Sequence, residues 1–277
     1  MRRHSRRELL VWLGTLGGAV LWWRGVRRVA GAACMSPERQ ALAARLAEVL
    51  GADGLAGLDG AEAPWVLFPV TRERALPADY VPRDLVRTTG GGPAPQGGQL
   101  VRRLIVPDLE ALVAAARADG ITFALYSGFR SYETQRALFE SGVRQQLQRG
   151  AASLEEAIER ANRFRAQPGH SQHQLGTTVD ITAPDVDWRL SQRLAETPAG
   201  AWLRSHAWEH GFVQPYTPLA EPRTGYAAEP WHLRWVGRPL AALLAADGYL
   251  DRTDLTTEDY LLALEGLRDP APAACPG

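Results

Sequence analysis

Apolar positions along the chain follow two periods. Leu42, Leu46 and Leu50 recur at helical spacing within Ser36 to Leu50, and Leu109, Leu112, Val113 and Ala116 form an i, i+3, i+4, i+7 stripe that Gly120 is placed to end. Ile121, Phe123 and Leu125 then alternate, which predicts a strand. Ser127-Gly128 breaks it, and a helix is predicted from about Tyr132. Ser153 with Glu156 makes a capping box, announcing a second helix. Thr197-Pro198 opens another, which stops at Gly211. Val179 to Ile181, Phe212-Val213 and His232 to Trp235 read as short strands. Helices and short strands mix without a regular βαβ rhythm, so the pattern predicts an α+β fold with a small antiparallel sheet and flanking helices.

The ends of the chain have a different texture. Met1 to Arg7 carries four arginines, and Leu9 to Trp23 then runs fifteen residues without a charge. That run suits the apolar region of a signal peptide better than a membrane span. Ser5-Arg6-Arg7-Glu8-Leu9-Leu10 resembles a twin-arginine export signal, and Ala30-Gly31-Ala32 offers a small-residue cleavage site. Gly31 stands where a lipobox ahead of Cys34 wants leucine. Arg24, Arg27 and Arg28 beyond the run leave an uncleaved anchor through residues 9–23 as the alternative. Gly51 to Pro64, rich in Gly, Ala and Asp, reads as a linker, Gly90 to Gly98 as a Gly/Pro loop, and Asp269 to Gly277 as a Pro/Ala tail. The expected organisation is an export signal or anchor over 1–34, a helix and linker over 35–63, a catalytic-sized domain over 64–248 and an extension over 249–277.

Composition narrows the chemistry. The 277 residues are 45% hydrophobic, enough for a sizeable core, which excludes a disordered chain. Thirty-one basic residues balance thirty-one acidic ones, so no nucleic-acid partner is expected. Every basic residue is arginine, which excludes Schiff-base, Walker-lysine and Ser–Lys chemistry. With only Cys34 and Cys275, a cysteine-rich zinc site or disulfide framework is excluded as well.

Five histidines remain outside the leader: His170, His173, His206, His210 and His232. His173 ends a polar loop, Gly176 permits a tight backbone path, and Asp180 lies between Val179 and Ile181 on an apolar strand. A buried aspartate there needs a strong partner, and a metal is one. In Glu229-Pro230-Trp231-His232, the proline disfavours a regular strand, so Glu229 and His232 could converge. His173, Asp180 and His232 with one water would be the plan of a catalytic Zn²⁺ site, and Glu229 the free carboxylate that takes the proton. The competitor is His206-Ala207-Trp208-Glu209-His210, an H-x-x-E-H pattern at the end of a predicted helix. Histidines placed there also suit the helix dipole. Spacing alone leaves each proposed ligand open to an ordinary satisfied polar role. Arg130, where a strand turns into a helix, could clamp a carboxylate or stabilise an oxyanion, or simply be a surface arginine.

Several separated segments together resemble the VanY-like D-alanyl-D-alanine carboxypeptidases, of the LD/DD-peptidase group that shares its fold with the hedgehog signalling domain. They are Leu76 to Pro82, Tyr126 to Gln135, Ser171 to Asp180, Trp202-Leu203, His210-Gly211-Phe212, Gly225-Tyr226 and Glu229 to His232, in the family's order, over about two thirds of the chain. The family pattern S-x-H-x-x-G-x-A-x-D falls on Ser171, His173, Gly176, Thr178 and Asp180, with Thr178 departing from the alanine. The resemblance implies zinc ligands at His173, Asp180 and His232, a base at Glu229 and a transition-state arginine at Arg130. It puts Ser131, Gln135 and Ser171 near the substrate, and His206 and His210 on a structural helix. It implies removal of the terminal D-alanine from peptidoglycan stem peptides, outside the cytoplasmic membrane, with membrane contact only through the N-terminal segment. An LD-carboxypeptidase, a peptidoglycan endopeptidase and a non-catalytic cell-wall-peptide binding module are the alternatives.

Overall fold

The computed structural model describes residues 37–56, 66–88 and 98–268. The leader with Cys34, most of the linker and of the Gly90 to Gly98 loop, the tail and Cys275 lie outside the described residues. In chain order the elements are α1 (Pro37–Ala56), β1 (Leu85–Arg87), β2 (Leu100–Arg102), α2 (Val106–Ala118), β3 (Ala124–Ser127), α3 (Tyr132–Gln148), α4 (Leu154–Asn162), β4 (Thr178–Thr182), α5 (Pro198–His206), β5 (Phe212–Val213), β6 (His232–Trp235), α6 (Arg238–Ala246) and α7 (Thr257–Arg268). Short 3₁₀ turns and a single α-helical turn at Glu221–Thr224 connect several of them. No helix among the described residues is long and apolar enough to cross a membrane.

Four strands form an antiparallel sheet in the order β3-β4-β6-β5, and β1 and β2 form a separate antiparallel pair. The α+β expectation holds, with helices flanking a small sheet. All five residues of β4 are buried, because the strand is central and covered on both faces. Its register sets the neighbours of Asp180, with Ser127 of β3 opposite on one side and His232 of β6 on the other. A register irregularity between Leu125 and Ser127 bends β3 as it leaves the sheet.

Local chemistry explains the element ends. Ser131 caps α3 and Ser153 caps α4, each accepting the N–H three residues on. Glu156 completes its box one residue early, accepting the N–H of Ala152 rather than that of Ser153. The strand expected from Ile121 begins only at Ala124. Ile121 N–H donates back to Ala116 O at 2.8 Å, with Gly120 at φ +79°, so these residues close α2 before pairing can start. Helix α1 runs to Ala56, six residues into the stretch read as linker. The helix expected to end at Gly211 is α-helical to His206 and tightens to 3₁₀ over Ala207–His210.

Two main cores result. One packs Leu109, Leu112 and Ala116 of α2 against Val179, Ile181 and Leu233 of the sheet and Leu203 of α5. The other brings Leu42 and Leu46 of α1 together with Leu240 and Leu244 of α6 and Tyr260, Leu261 and Leu264 of α7. Asp108 links them, accepting from Trp235 Nε1 at 2.8 Å and from Arg238 Nε at 2.7 Å. Leu112 is fully buried in the first core. Leu112→Ala is expected to cost about 2–5 kcal/mol in urea unfolding, the usual range for such a cavity. The folded variant should still bind a metal stoichiometrically, because Leu112 supports the sheet from the side opposite the polar cluster.

Candidate metal centre

The sheet and two turns bring three side chains to one point. Asp180 is 2% exposed at the middle of β4, His232 is 3% exposed at the start of β6, and His173 is 2% exposed on the 3₁₀ turn before β4. That turn ends at Gly176, in the left-handed region at φ +71°, where a Cβ would press on Arg102 and Leu85. Glycine therefore lets the chain turn from His173 into β4 beneath the β1–β2 pair. Among the described residues, His173, Asp180 and His232 form a group whose ligand atoms all lie within 4.8 Å of one another.

The orientation of each imidazole is set from behind. His173 Nδ1 lies 2.7 Å from the Gly128 carbonyl, which requires the ring to donate there. Its Nε2 is left facing Asp180 Oδ1 at 3.2 Å. His232 is turned the other way: Nε2 meets Gln172 Oε1 at 3.0 Å, and Nδ1 lies 3.4 Å from Asp180 Oδ1. Both rings thus turn toward the same carboxylate oxygen the nitrogen that a metal would take, as metal ligands fixed by outer partners do. Tetrahedral zinc with bonds of about 2.0–2.1 Å needs donor atoms roughly 3.3 Å apart. The two separations to Asp180 Oδ1 match that requirement. Two imidazoles and one carboxylate are also a donor set that suits zinc.

Charge is confined here. Burial pushes the Asp180 carboxyl up, but His173 and His232 outweigh it and hold it well below the usual carboxylate range. Burial pushes His232 down to about 4, so its ring is neutral at ordinary pH. Glu229 follows the opposite course: burial, and then the charge of Asp180, push it up to about 8, with Arg130 opposing. Glu229 and His232 do converge, because His232 N–H bonds Glu229 O at 3.0 Å and closes a turn with Pro230 as its second residue. That turn leaves Glu229 Oε2 3.4 Å from His232 Nδ1.

Arg130 donates to Asp180 Oδ2 and to Ser127 Oγ, both at 3.2 Å, and to Gln135 Oε1 at 3.0 Å. Gln135 is 1% exposed and also donates to Ala166 O, so its amide holds Arg130 in place. These groups border a cleft of about 540 Å³. Ser171 lines it, and Tyr126, Leu138 and Phe164 are exposed apolar groups on its walls. Ser131 is not among the residues that line it, and its hydroxyl accepts Thr134 N–H as the cap of α3. His206 and His210 stand apart from the cluster. His206 pairs with Glu209 at 3.1 Å and stacks on Trp202, and the 3₁₀ turn after it removes the shared helical face that ligation would need.

Sequence reading missed two members, Gln172 and Glu258. Gln172 Nε2 donates to Glu258 Oε1 at 2.8 Å, behind His232. Gln172 could have been suspected from its place beside His173, whereas Glu258 comes from a helix 86 residues away and has no local signal.

A buried His-Asp-His donor set, open to a cleft and flanked by a carboxylate, defines a metallohydrolase centre. The VanY family, described as D-alanyl-D-alanine carboxypeptidase, matches residues 98–238. A D-alanyl-D-alanine carboxypeptidase of Enterococcus faecalis is 32% identical over 202 residues, covering 73% of this chain and 68% of its own. The solved structure of the LdcB LD-carboxypeptidase superposes with a TM-score of 0.59 at 29% identity, over 72% of this chain and 86% of that one. A vancomycin-resistance D,D-pentapeptidase, VanY, in complex with Zn(II) superposes with a TM-score of 0.58 at 32% identity, over 71% of this chain and 99% of that one. The chain belongs to the VanY family of D-alanyl-D-alanine carboxypeptidases. It is a peptide-bond hydrolase, a carboxypeptidase whose His173, Asp180 and His232 form a group able to hold a metal ion.

Alanine at His173, Asp180 or His232 is expected to abolish stoichiometric zinc in elemental analysis of the folded protein. His206→Ala and His210→Ala should retain one zinc per chain. The reverse pattern would move the metal to the H-x-x-E-H segment.

Proposed function

We propose that this carboxypeptidase removes the terminal D-alanine from peptidoglycan stem peptides, with His173 Nε2, Asp180 Oδ1 and His232 Nδ1 as the zinc ligands. The observation that carries the reading is that His173 Nε2 and His232 Nδ1 lie 3.2 and 3.4 Å from Asp180 Oδ1, with all three residues on one cleft. When bound, zinc supplies Lewis acidity that polarises a peptide carbonyl and acidifies a water.

The chain's own groups do the rest. Glu229 takes a proton from the attacking water and returns it to the departing amine. Its position beside His232 Nδ1 and its raised proton affinity suit a group that cycles near neutral pH. Arg130, held by Gln135, stabilises the negative charge that develops on the carbonyl oxygen. Ser171, 5% exposed on the cleft wall, is placed to contact the chain end. A D,D-terminated end is the first reading, on the strength of the family and the enterococcal relative. An L,D-terminated end is the second, because of the likeness to LdcB.

Incubation of the purified protein with D,D- and L,D-terminated stem peptides, with and without a chelator, separates these by mass. Loss of a single alanine from the D,D substrate, abolished by chelator, is expected. Cleavage inside the peptide would mean an endopeptidase, and zinc binding without turnover a binding module. Glu229→Gln should keep zinc and lower turnover at least about a hundredfold, the usual scale for a lost general base. Near-normal turnover would assign the proton to another group.

Export to the cell envelope belongs to the same reading, since the proposed substrate lies outside the cytoplasmic membrane and Ser5 to Leu10 resembles a twin-arginine signal. Lysine at both Arg6 and Arg7 is then expected to trap a reporter fused to residues 1–40 inside the cell. A reporter that still crosses would point to a general secretory signal or an anchor.

A further inference from the structure

Behind His232 a chain of hydrogen bonds leads out of the segment that matches the family. His232 Nε2 meets Gln172 Oε1 at 3.0 Å, and Gln172 Nε2 donates to Glu258 Oε1 at 2.8 Å. All three side chains are buried, with Gln172 1% and Glu258 7% exposed. Glu258 lies in the first turn of α7, beyond residue 238 where the family match ends.

The chemistry of the chain is directional. An ionised carboxylate only accepts hydrogen bonds, so with Glu258 ionised the edge of the Gln172 amide that faces it is its NH₂, the arrangement the structure shows. The carbonyl edge then faces His232. An oxygen at that place calls for a proton on Nε2. A neutral imidazole carries one such proton, so Nδ1 keeps its lone pair, on the side of Asp180. Without the carboxylate, the amide is free to turn over by half a rotation. Its NH₂ would then meet Nε2, and the ring proton would sit on Nδ1, where it blocks a metal.

The backbone that carries Glu258 is fixed through its neighbour Asp259, while the Glu258 carboxyl is held through Oε1 by Gln172. Thr256 N and Oγ1 donate to Asp259 Oδ2 at 2.9 and 3.0 Å, which caps α7. Arg223 donates to the same oxygen at 2.9 Å. The first turn of a helix is also where a carboxylate is favoured. Burial pushes Glu258 up to about 7, and the charge of fully buried Arg234 on β6 opposes that rise.

We propose that Glu258 is a positioning residue of the metal centre, acting through Gln172 to hold His232 in the form that offers Nδ1. The proposal rests on the ligand assignment made above. Its test is zinc affinity, measured by competition with a chromophoric chelator, together with thermal unfolding of the metal-free proteins. Gln172→Ala and Glu258→Leu should each weaken zinc binding by about tenfold to a hundredfold, the scale for outer partners of a ligand. The double variant should bind no more weakly than Gln172→Ala alone, since one acts through the other. Glu258→Gln keeps an accepting oxygen and should restore most of the affinity lost in Glu258→Leu.

Unchanged zinc affinity in Gln172→Ala would overturn the proposal by itself, even if Glu258→Leu did not fold. Fully additive losses in the double variant would also overturn it, because Glu258 would then act by another route. A wild-type protein that bound no zinc would fail at the ligand assignment instead, which separates the two.

Discussion

The fold is organised around a charge that has no place in an apolar sheet. Asp180 sits at the centre of β4, buried, with Val179 and Ile181 beside it. An ionised carboxylate there is costly unless it is paired and hydrogen-bonded on every side. The strand order supplies the partners. β6 brings His232, and the turn before β4 brings His173, which the Gly128 carbonyl just after β3 holds in place. Arg130, leaving β3, covers the second oxygen. The sheet register is therefore also the register of the chemistry: a shift of one residue along β4 would turn Asp180 to the other face and separate the cluster.

Much of this was legible in the sequence, for identifiable reasons. The capping serines, the proline-broken strand before His232 and the apolar stripe of α2 act over a few residues, so local pattern contains them. The fold class, the His173, Asp180 and His232 cluster and the proximity of Glu229 followed from such signals and from the family resemblance. Other features depend on partners far along the chain. Ser131 looks like a cleft residue from its neighbours, yet its hydroxyl is engaged by the helix it starts. Ile121 alternates as a strand residue should, yet its N–H belongs to the end of α2. Gln135, expected at the substrate, lines the cleft, and its bonds to Arg130 and to Ala166 O have no local signal in the sequence. Glu258 is a surface-type residue in a helix of ordinary composition, and only its tertiary neighbours make it part of the site.

The cleft shows how little of the site is given to general stickiness. Its floor is charged and tightly hydrogen-bonded, and its walls carry Tyr126, Leu138 and Phe164 as exposed apolar groups. Polar groups on the floor fix orientation, while apolar walls exclude water from whatever lies between them. Arg130 and Glu229 lie on the same cleft, and the charges around Glu229 set its proton affinity: the guanidinium lowers it, while Asp180 raises it. Substituting either neighbouring charge would therefore alter the proton equilibrium of Glu229 as well as the local contacts.

The second core carries a consequence for how the protein comes into being. It joins Leu42 and Leu46, near the start of the described chain, to Tyr260, Leu261 and Leu264, near its end. Contacts across such a span close late, because the loop entropy must be overcome before they stabilise anything. During vectorial synthesis the strands that carry Asp180 and His232 leave the ribosome before α7 does. Until α7 arrives, α1 and α6 present their apolar faces to solvent, and such faces invite capture by chaperones or by other chains. Helix α7 thus completes the closure of this core, and a chain terminated before it would contain every strand of the sheet while leaving that core open.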